Sequence, residues 1–361
     1  VKSATHPYRP TRRHALTERE SEILRLVVSD FIDTAGPVGS RALARRYMLG
    51  LSPASIRNTM SDLEERGFLD HPHTSAGRVP TNLGYRVFVD QLMLRQALSQ
   101  EEGRLLREGL DRAATHNEVF LKECSRLLGR LSNLLGVVLS PRLSLGILDR
   151  MEAVPLSSSR LMFVISLRGG LFKTIVLEVE SGLERRDVDA AVALMNERLA
   201  GLTLDDIRQT YASRMQDVSD EKTGIIRLVL NSTAALFSEP SDGRLSFAGA
   251  QHILAQPEFQ EDPDALRDLI GLLEEEDVVV QLFEDEAANP SDPGRAAVRI
   301  GRELSDGKGD KYSIVTASYL LGETTGTIGI IGPTRMDYVR VVALVEGMAA
   351  LLGRPDRSAQ H

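Results

Sequence analysis

One cysteine, Cys124, stands in 361 residues. An internal disulfide and a cysteine metal cluster are therefore excluded, and a reducing compartment is expected. Long hydrophobic runs are missing too. The longest, about residues 134–139, is far below the ~20 apolar residues that a membrane helix needs, and 278–283 is broken by Gln281. Residues 1–15 carry Lys2, Arg9, Arg12 and Arg13 with no apolar segment behind them, so no secretory leader is expected, no membrane partner, and a cytoplasmic location. Catalytic signatures are equally scarce. Residues 301–308 approach a phosphate loop, but five residues rather than four separate Gly301 from Gly307, and Gly309 stands where Ser or Thr is needed. Gly322, Gly326, Gly329 and Gly332 miss the dinucleotide spacing and fit a hairpin instead. His71 and His73 have no third ligand nearby in the chain. Cys124, on an apolar stripe with no paired His, reads as a buried thiol. The expectation is no enzyme, no cofactor and no metal.

What the chain does have is an uneven charge. Residues 1–100 hold 14 Lys and Arg against 10 Asp and Glu, a net +4, while the remainder nets −12. A positive head on an acidic body fits a module facing a polyanion. Residues 1–15 read as a basic arm, either laid along phosphates or solvated as a tail.

Within the head, residues 52–67 hold the strongest pattern. Ser52 is an N-cap, Pro53 takes the first helical position, and Gly67 ends the helix. Ile56, Met60 and Leu63 share one face, and Ala54, Arg57, Asn58 and Ser61 the other. That outward face is small and polar near its start. Arg suits guanine edges and Asn adenine edges, each through two parallel hydrogen bonds. A solvated surface helix would show the same pattern, so the flanking segments decide.

They read as helix, short helix, turn, helix. Thr17 and Glu20 make a capping box before a stripe of Ile23, Leu24, Val27, Val28 and Phe31, and Gly36-Pro37 stops that helix. Ser40 caps a shorter helix with Leu43, Ala44 and Tyr47. This is the helix-turn-helix order. Residues 68–70 and 78–80 flank a Pro/Gly loop and read as a hairpin, the wing of a winged helix, with Arg78 near its tip. Thr81 caps a helix over 82–98, with Tyr85 against the wing and Arg86 near phosphate. The candidate DNA-binding set is Ser55, Arg57, Asn58 and Ser61 at bases and Arg45, Arg46, Arg78 and Arg86 at phosphates, completed by Ser40 and Ser52 at helix starts.

The runs Leu16-Thr17-Glu18-Arg19, Pro37-Val38-Gly39-Ser40, Leu51 through Asn58, Gly67-Phe68-Leu69, His73 through Thr81 and Gly84-Tyr85-Arg86 resemble the heat-inducible transcription repressor of bacteria, the HrcA type. The Ser-Ala-Gly-Arg-Val-Pro-Thr segment followed by Gly-Tyr-Arg is its most specific part, and weaker likeness runs to the C-terminus. The basic arm before Leu16 is an addition to that pattern.

The rest reads as antiparallel α+β. Residues 100–136 read as one long helix. Strands follow at 147–155, 160–167 and 171–179, the last two joined by Arg168-Gly169-Gly170. Residues 187–275 are mostly helical, with 247–254 ambiguous. Strands resume at 278–283, 298–301, 312–318 and 325–331, and a helix over 335–352 closes the chain. The resemblance implies a multidomain α+β protein: an arm (1–15), a winged helix-turn-helix domain (16–98), a GAF-like domain (99–186 and 276–361) and an inserted dimerisation domain (187–275). It further implies a homodimer on an inverted-repeat operator of double-stranded DNA upstream of chaperonin and chaperone operons, kept active by the chaperonin. Two other readings stay open: a regulator whose GAF-like domain senses a small molecule, and an enzyme with a DNA-binding head, which would need a nucleotide loop.

Overall fold

The computed structural model describes residues 16–48, 50–72, 77–113, 117–179, 183–218, 224–238, 244–288, 294–304 and 311–353. The basic arm, most of the hairpin loop and residues 305–310 lie outside them.

The chain opens with α1 (Glu18–Thr34), α2 (Ser40–Tyr47) and α3 (Pro53–Glu65). The capping box forms as expected: the Thr17 N–H donates to Glu20 at 2.7 Å, and the Glu20 N–H donates to the Thr17 hydroxyl at 3.2 Å. Ser52 caps α3 by accepting from the Ser55 N–H at 3.1 Å. Gly67, at φ +79°, ends α3 with its N–H on the Glu64 carbonyl and the Phe68 N–H on the Leu63 carbonyl, the paired closure that a left-handed residue permits. Ile23, Leu24, Val27, Val28, Leu43, Ile56, Met60 and Leu63 form the core between the three helices. A short antiparallel hairpin of β1 (Leu69–Asp70) and β2 (Val79–Pro80) follows. Val38, between α1 and α2, pairs with Arg78 and so adds a third edge to it.

α4 (Asn82–Val87) continues as a π-helical turn to Leu92. The helix expected to reach residue 98 therefore stops early, because Met93 turns extended after its N–H closes on the Phe88 carbonyl.

α5 (Gln100–Ala113), α6 (Asn117–Ser132) and β3 (Leu135–Leu139) replace the single helix expected over 100–136. β3 is buried on both faces, and a continuously apolar run of that kind does not separate a core strand from a helix by periodicity. Gly136 lets α6 lie on the strand: a Cβ there would come within 2.2 Å of the Ser125 carbonyl oxygen.

β4 (Leu148–Ser157), β5 (Arg160–Leu167) and β6 (Phe172–Glu178) form an antiparallel sheet of their own. One face packs on α7 (Arg185–Leu199), α8 (Leu204–Arg214), α9 (Ile225–Asn231) and α10 (Thr233–Phe237), around Phe163, Ile165, Met195, Tyr211 and Phe237. The expected boundary at 187 falls inside this unit, between the sheet and the helices that cover it. The chain then rejoins the first layer as β7 (Leu245–Ala248), α11 (Ala250–Leu254), α12 (Pro257–Glu261), α13 (Pro263–Glu274) and α14 (Glu276–Ala288). The strand expected over 278–283 is part of α14. Only Val279 and Phe283 of that run are buried, four residues apart on one helical face.

β8 (Ala297–Ile300), β9 (Tyr312–Leu321), β10 (Thr324–Pro333) and α15 (Tyr338–Leu352) complete the structure. The second sheet, in the order β7-β3-β10-β9-β8, is antiparallel throughout. Core residues from α5, α6 and α15 cover one face, and residues from α11 to α14 cover the other.

The two passages of chain between the sheets meet at one carboxylate. Glu284 of α14 holds both Arg142, on the way out, and Arg244, on the way back, while Arg244 also donates to the Ser140 carbonyl at 2.8 Å.

Candidate nucleic-acid interface

α3 buries Ile56, Thr59, Met60 and Leu63 and turns Ala54, Arg57 and Asn58 to solvent. Arg57 and Asn58 have neither an ion-pair nor a hydrogen-bond partner among the described residues. Ser61 is half-buried at the edge of the same face. Ser52 caps the helix, so its oxygen is engaged within the protein. Ser55 is engaged from outside α3: the Arg19 guanidinium donates to its hydroxyl at 2.6 Å and to its carbonyl at 2.9 Å.

The arginines of the head fall into two groups. Arg46 pairs with Asp30 and Asp33, Arg66 with Glu20, Arg78 with Glu64 and Arg86 with Asp90 and Glu303. Arg19, Arg25, Arg41, Arg45 and Arg57 are exposed and have no carboxylate partner among the described residues. An ion pair neutralises the charge that a phosphate would attract, so the second group is the one available to a polyanion.

This sorting separates the expected site residues. Arg45 has no carboxylate partner among the described residues; its Nε donates to the Arg41 carbonyl at 3.4 Å. Arg46 braces α2 against the end of α1. Ser40 does not cap α2: it is the first helical residue, buried, and Gly39 holds the cap position. Arg78 lies on the loop side of the last ladder pair, Asp70–Val79, where its backbone pairs with Val38 and its guanidinium reaches Glu64 at 2.7 Å; the tip itself, 73–76, is outside the described residues. Gly77 permits that approach, since a Cβ there would lie 2.1 Å from the Val38 carbonyl oxygen.

Arg86 is the clearest departure. It faces the body, donating to Val298 O at 2.6 Å and to both Glu303 oxygens, with its side chain 12% exposed. Burial alone would depress this guanidinium, but Glu303 and then Asp90 raise it above its ordinary value, so it is a fixed charge of the joint. Tyr85 points the same way, packing on Tyr338 with ring centroids 5.9 Å apart. The head thus shares one continuous core with α5, α6 and α15.

With this geometry the relatives can be compared. The profile of the family described as "HrcA protein C terminal domain" matches residues 118–342. Heat-inducible transcription repressor HrcA of Prosthecochloris aestuarii is 41% identical over 343 residues, 92% of this chain and 96% of its own. The same-named protein of Chlorobium luteolum is 42% identical over 348 residues, 93% and 96% of the two chains. The chain belongs to the HrcA family of heat-inducible transcription repressors.

HrcA proteins repress transcription; theirs is not an enzyme family, in keeping with the sequence reading. The profile begins at residue 118, so the head is tied to HrcA by the full-length relatives and not by the profile. A crystal structure of a protein described only as hypothetical, solved at 2.2 Å resolution, shares the fold. It has a TM-score of 0.62 at 22% identity and covers 95% of this chain and 99% of its own. No helix among the described residues of this HrcA chain is long and apolar enough to cross a membrane.

Arg19 is the residue at this surface that motif reading passed over. Its signal, an arginine at the second position of a helix, is ordinary, and its contact lies 36 residues away in sequence.

Proposed function

We propose that the three helices and hairpin form a winged helix-turn-helix that lays α3 in the major groove. Two copies then read an inverted-repeat operator ahead of chaperonin and chaperone genes. The observation that carries this reading is the contrast on α3: Arg57 and Asn58 are exposed and unpartnered, while Arg46, Arg66, Arg78 and Arg86 are each neutralised by carboxylates. Arg57 and Asn58 meet bases, with Ser55 and Ser61 beside them, and Arg45 meets phosphate. Arg46, Arg78 and Arg86 hold the head in shape and in place. Ser52 caps α3, and Ser40 is packed as the buried first residue of α2.

A two-fold operator calls for a two-fold protein. The open face of the three-stranded sheet supports this. Val154, Met162 and Val176 lie in one cross-strand row, Val164 in the next, and Phe172 is 53% exposed. This face joins the two copies. The domains in this reading are the head (16–92), the GAF-like body (93–142 and 244–353) and the dimerising insert (143–238). Family resemblance supplies the chaperonin as the partner that keeps the cytoplasmic repressor active. A ligand-gated mechanism would need a polar pocket in the body. A hollow of about 660 Å³, lined by Asp149, Ser166, Arg168 and Phe172 among others, lies on the open face of the insert.

Binding of the full-length protein to the inverted repeat, to one half-site and to scrambled DNA, with and without chaperonin, tests the reading. Tight binding to the intact repeat alone, strengthened by chaperonin, is expected. Equal affinity for scrambled DNA would overturn it.

A further inference from the structure

We infer that Arg19, in the first turn of α1, belongs to the DNA-reading surface: it sets the direction of the Ser55 hydroxyl and contacts a backbone phosphate itself. The inference rests on the proposed groove-binding role of α3.

One guanidinium nitrogen of Arg19 donates to both the hydroxyl and the carbonyl of Ser55, in the first turn of α3. The hydroxyl oxygen accepts from that cation at 2.6 Å, so its own proton is turned away from Arg19. Ser55 therefore faces DNA as a donor, suited to an acceptor such as guanine O6 or N7, or thymine O4. Without Arg19 the hydroxyl could rotate and present either a donor or an acceptor, and its preference for one base would weaken.

The contact with Ser55 ties α1 to α3, but the local electrostatics of α1 do not favour an arginine here. A cation in the first turn of α1 opposes the helix dipole. The nearby Glu20 carboxylate is taken up by Thr17 and Arg66, and Glu22, one turn on, makes no ion pair with Arg19 among the described residues. Arg19 is exposed, and its other guanidinium nitrogens meet no acceptor among the described residues. Four arginines of the same head are matched to carboxylates, and this one is held beside the reading helix without a counter-charge. A guanidinium with one edge fixed and one edge free is arranged for a phosphate oxygen. The Arg19–Ser55 pair thus joins a positioning contact to a base contact.

The test compares wild type, Arg19→Ala, Arg19→Lys, Ser55→Ala, the Arg19→Ala/Ser55→Ala double variant and Arg57→Ala. Each is titrated on the inverted repeat and on single-base variants of it over a range of salt. Arg19→Ala should bind the repeat roughly tenfold more weakly, and its log–log salt slope should shrink by about 0.9 for each half-site phosphate lost. Discrimination at one base position should fall as well. Ser55→Ala should lose that discrimination and keep the slope, and the double variant should lose no more discrimination than Ser55→Ala alone. Arg19→Lys, which keeps the charge, should recover most of the slope. If Arg57→Ala alters base preference while Arg19→Ala and Arg19→Lys leave both slope and discrimination at wild-type values, Arg19 has no part in reading and the inference is overturned. If wild type itself shows no preference for the repeat, the groove-binding reading falls and this inference with it.

Discussion

Arg335 donates to the carbonyl of Ile32 at 2.6 Å, tying the loop before the last helix to the final turn of the first. Ile32 O is among the carbonyls that a helix end leaves without an intrahelical partner. Glu258 of α12 grips the same guanidinium. Head and body are therefore joined by a half-buried polar contact as well as by the Tyr85–Tyr338 packing. Arg335→Ala should cost about 1–3 kcal/mol, because Glu258 and Ile32 O both lose a half-buried partner. Denaturant unfolding measures the loss, and hydrogen exchange should locate the loosening in the last turn of α1.

Two carboxylates set an acid limit. Burial would raise Glu20, but the Thr17 N–H and Arg66 hold it below the ordinary value of 4.5. Arg142 lowers Glu284, burial opposes this, and Arg244 lowers it further. A carboxylate with a lowered folded pKa contributes stability that is full above its unfolded value and lost as pH falls through the folded one. Stability should therefore hold at neutral pH and decline below about 4.5. Glu20→Gln and Glu284→Gln should each lower stability at pH 7 and flatten that decline. Denaturation midpoints from pH 7 to pH 3 check this.

The turn between β5 and β6 meets the turn between β9 and β10 backbone to backbone. Gly169, at φ +88°, has so little room that a Cβ would lie 1.9 Å from the Gly322 Cα. Gly169→Ala cannot be absorbed by a side-chain rotation, so the insert must shift against the central sheet. A loss of about 2 kcal/mol or more is expected. Binding to the full inverted repeat should fall while binding to a half-site is kept, which titration on both DNAs distinguishes.

Arg57→Ala and Arg78→Ala should behave differently. Arg57 has no ion-pair or hydrogen-bond partner among the described residues, so its loss should leave the melting temperature unchanged and cost roughly 1–3 kcal/mol on the operator. Arg78 balances Glu64, so its loss should destabilise the head and leave an unpaired carboxylate in the last turn of α3. Melting curves read together with operator affinity separate the two. An unchanged operator affinity for Arg57→Ala would refute the assignment of α3 as the reading helix.

Val164→Glu places a charge in the middle of the open face of the insert's sheet. Sedimentation should show monomer in place of dimer at concentrations where wild type is paired, with the fold preserved. Dimer at wild-type strength would show that the copies meet elsewhere.

The head was legible in the sequence because its signals are local. A capping box spans four residues, an N-cap and its proline are adjacent, and a glycine that needs a positive φ marks the end of α3 wherever α3 packs. The positions of its arginines were not legible. Arg78 and Arg86 look alike in sequence to Arg57, yet their partners Glu64 and Glu303 lie 14 and 217 residues away, and only folding brings each pair together.

In the body, residues 135–139 and 278–283 are both short apolar runs, and one became a central strand while the other became a covering helix. Hydrophobicity alone determined that both would face a core, all of 135–139 and, in 278–283, the Val279 and Phe283 side. Which became sheet was decided by the neighbours: β10 and β7 offered hydrogen bonds on both edges of β3, whereas residues 278–283 had a sheet face to lie upon. The amino-acid order thus determined the start of α1, both ends of α3, the polar outward face of α3 and the family. Tertiary structure decided which charges are cancelled and which remain free, because electrostatic pairing depends on distance in space and not along the chain.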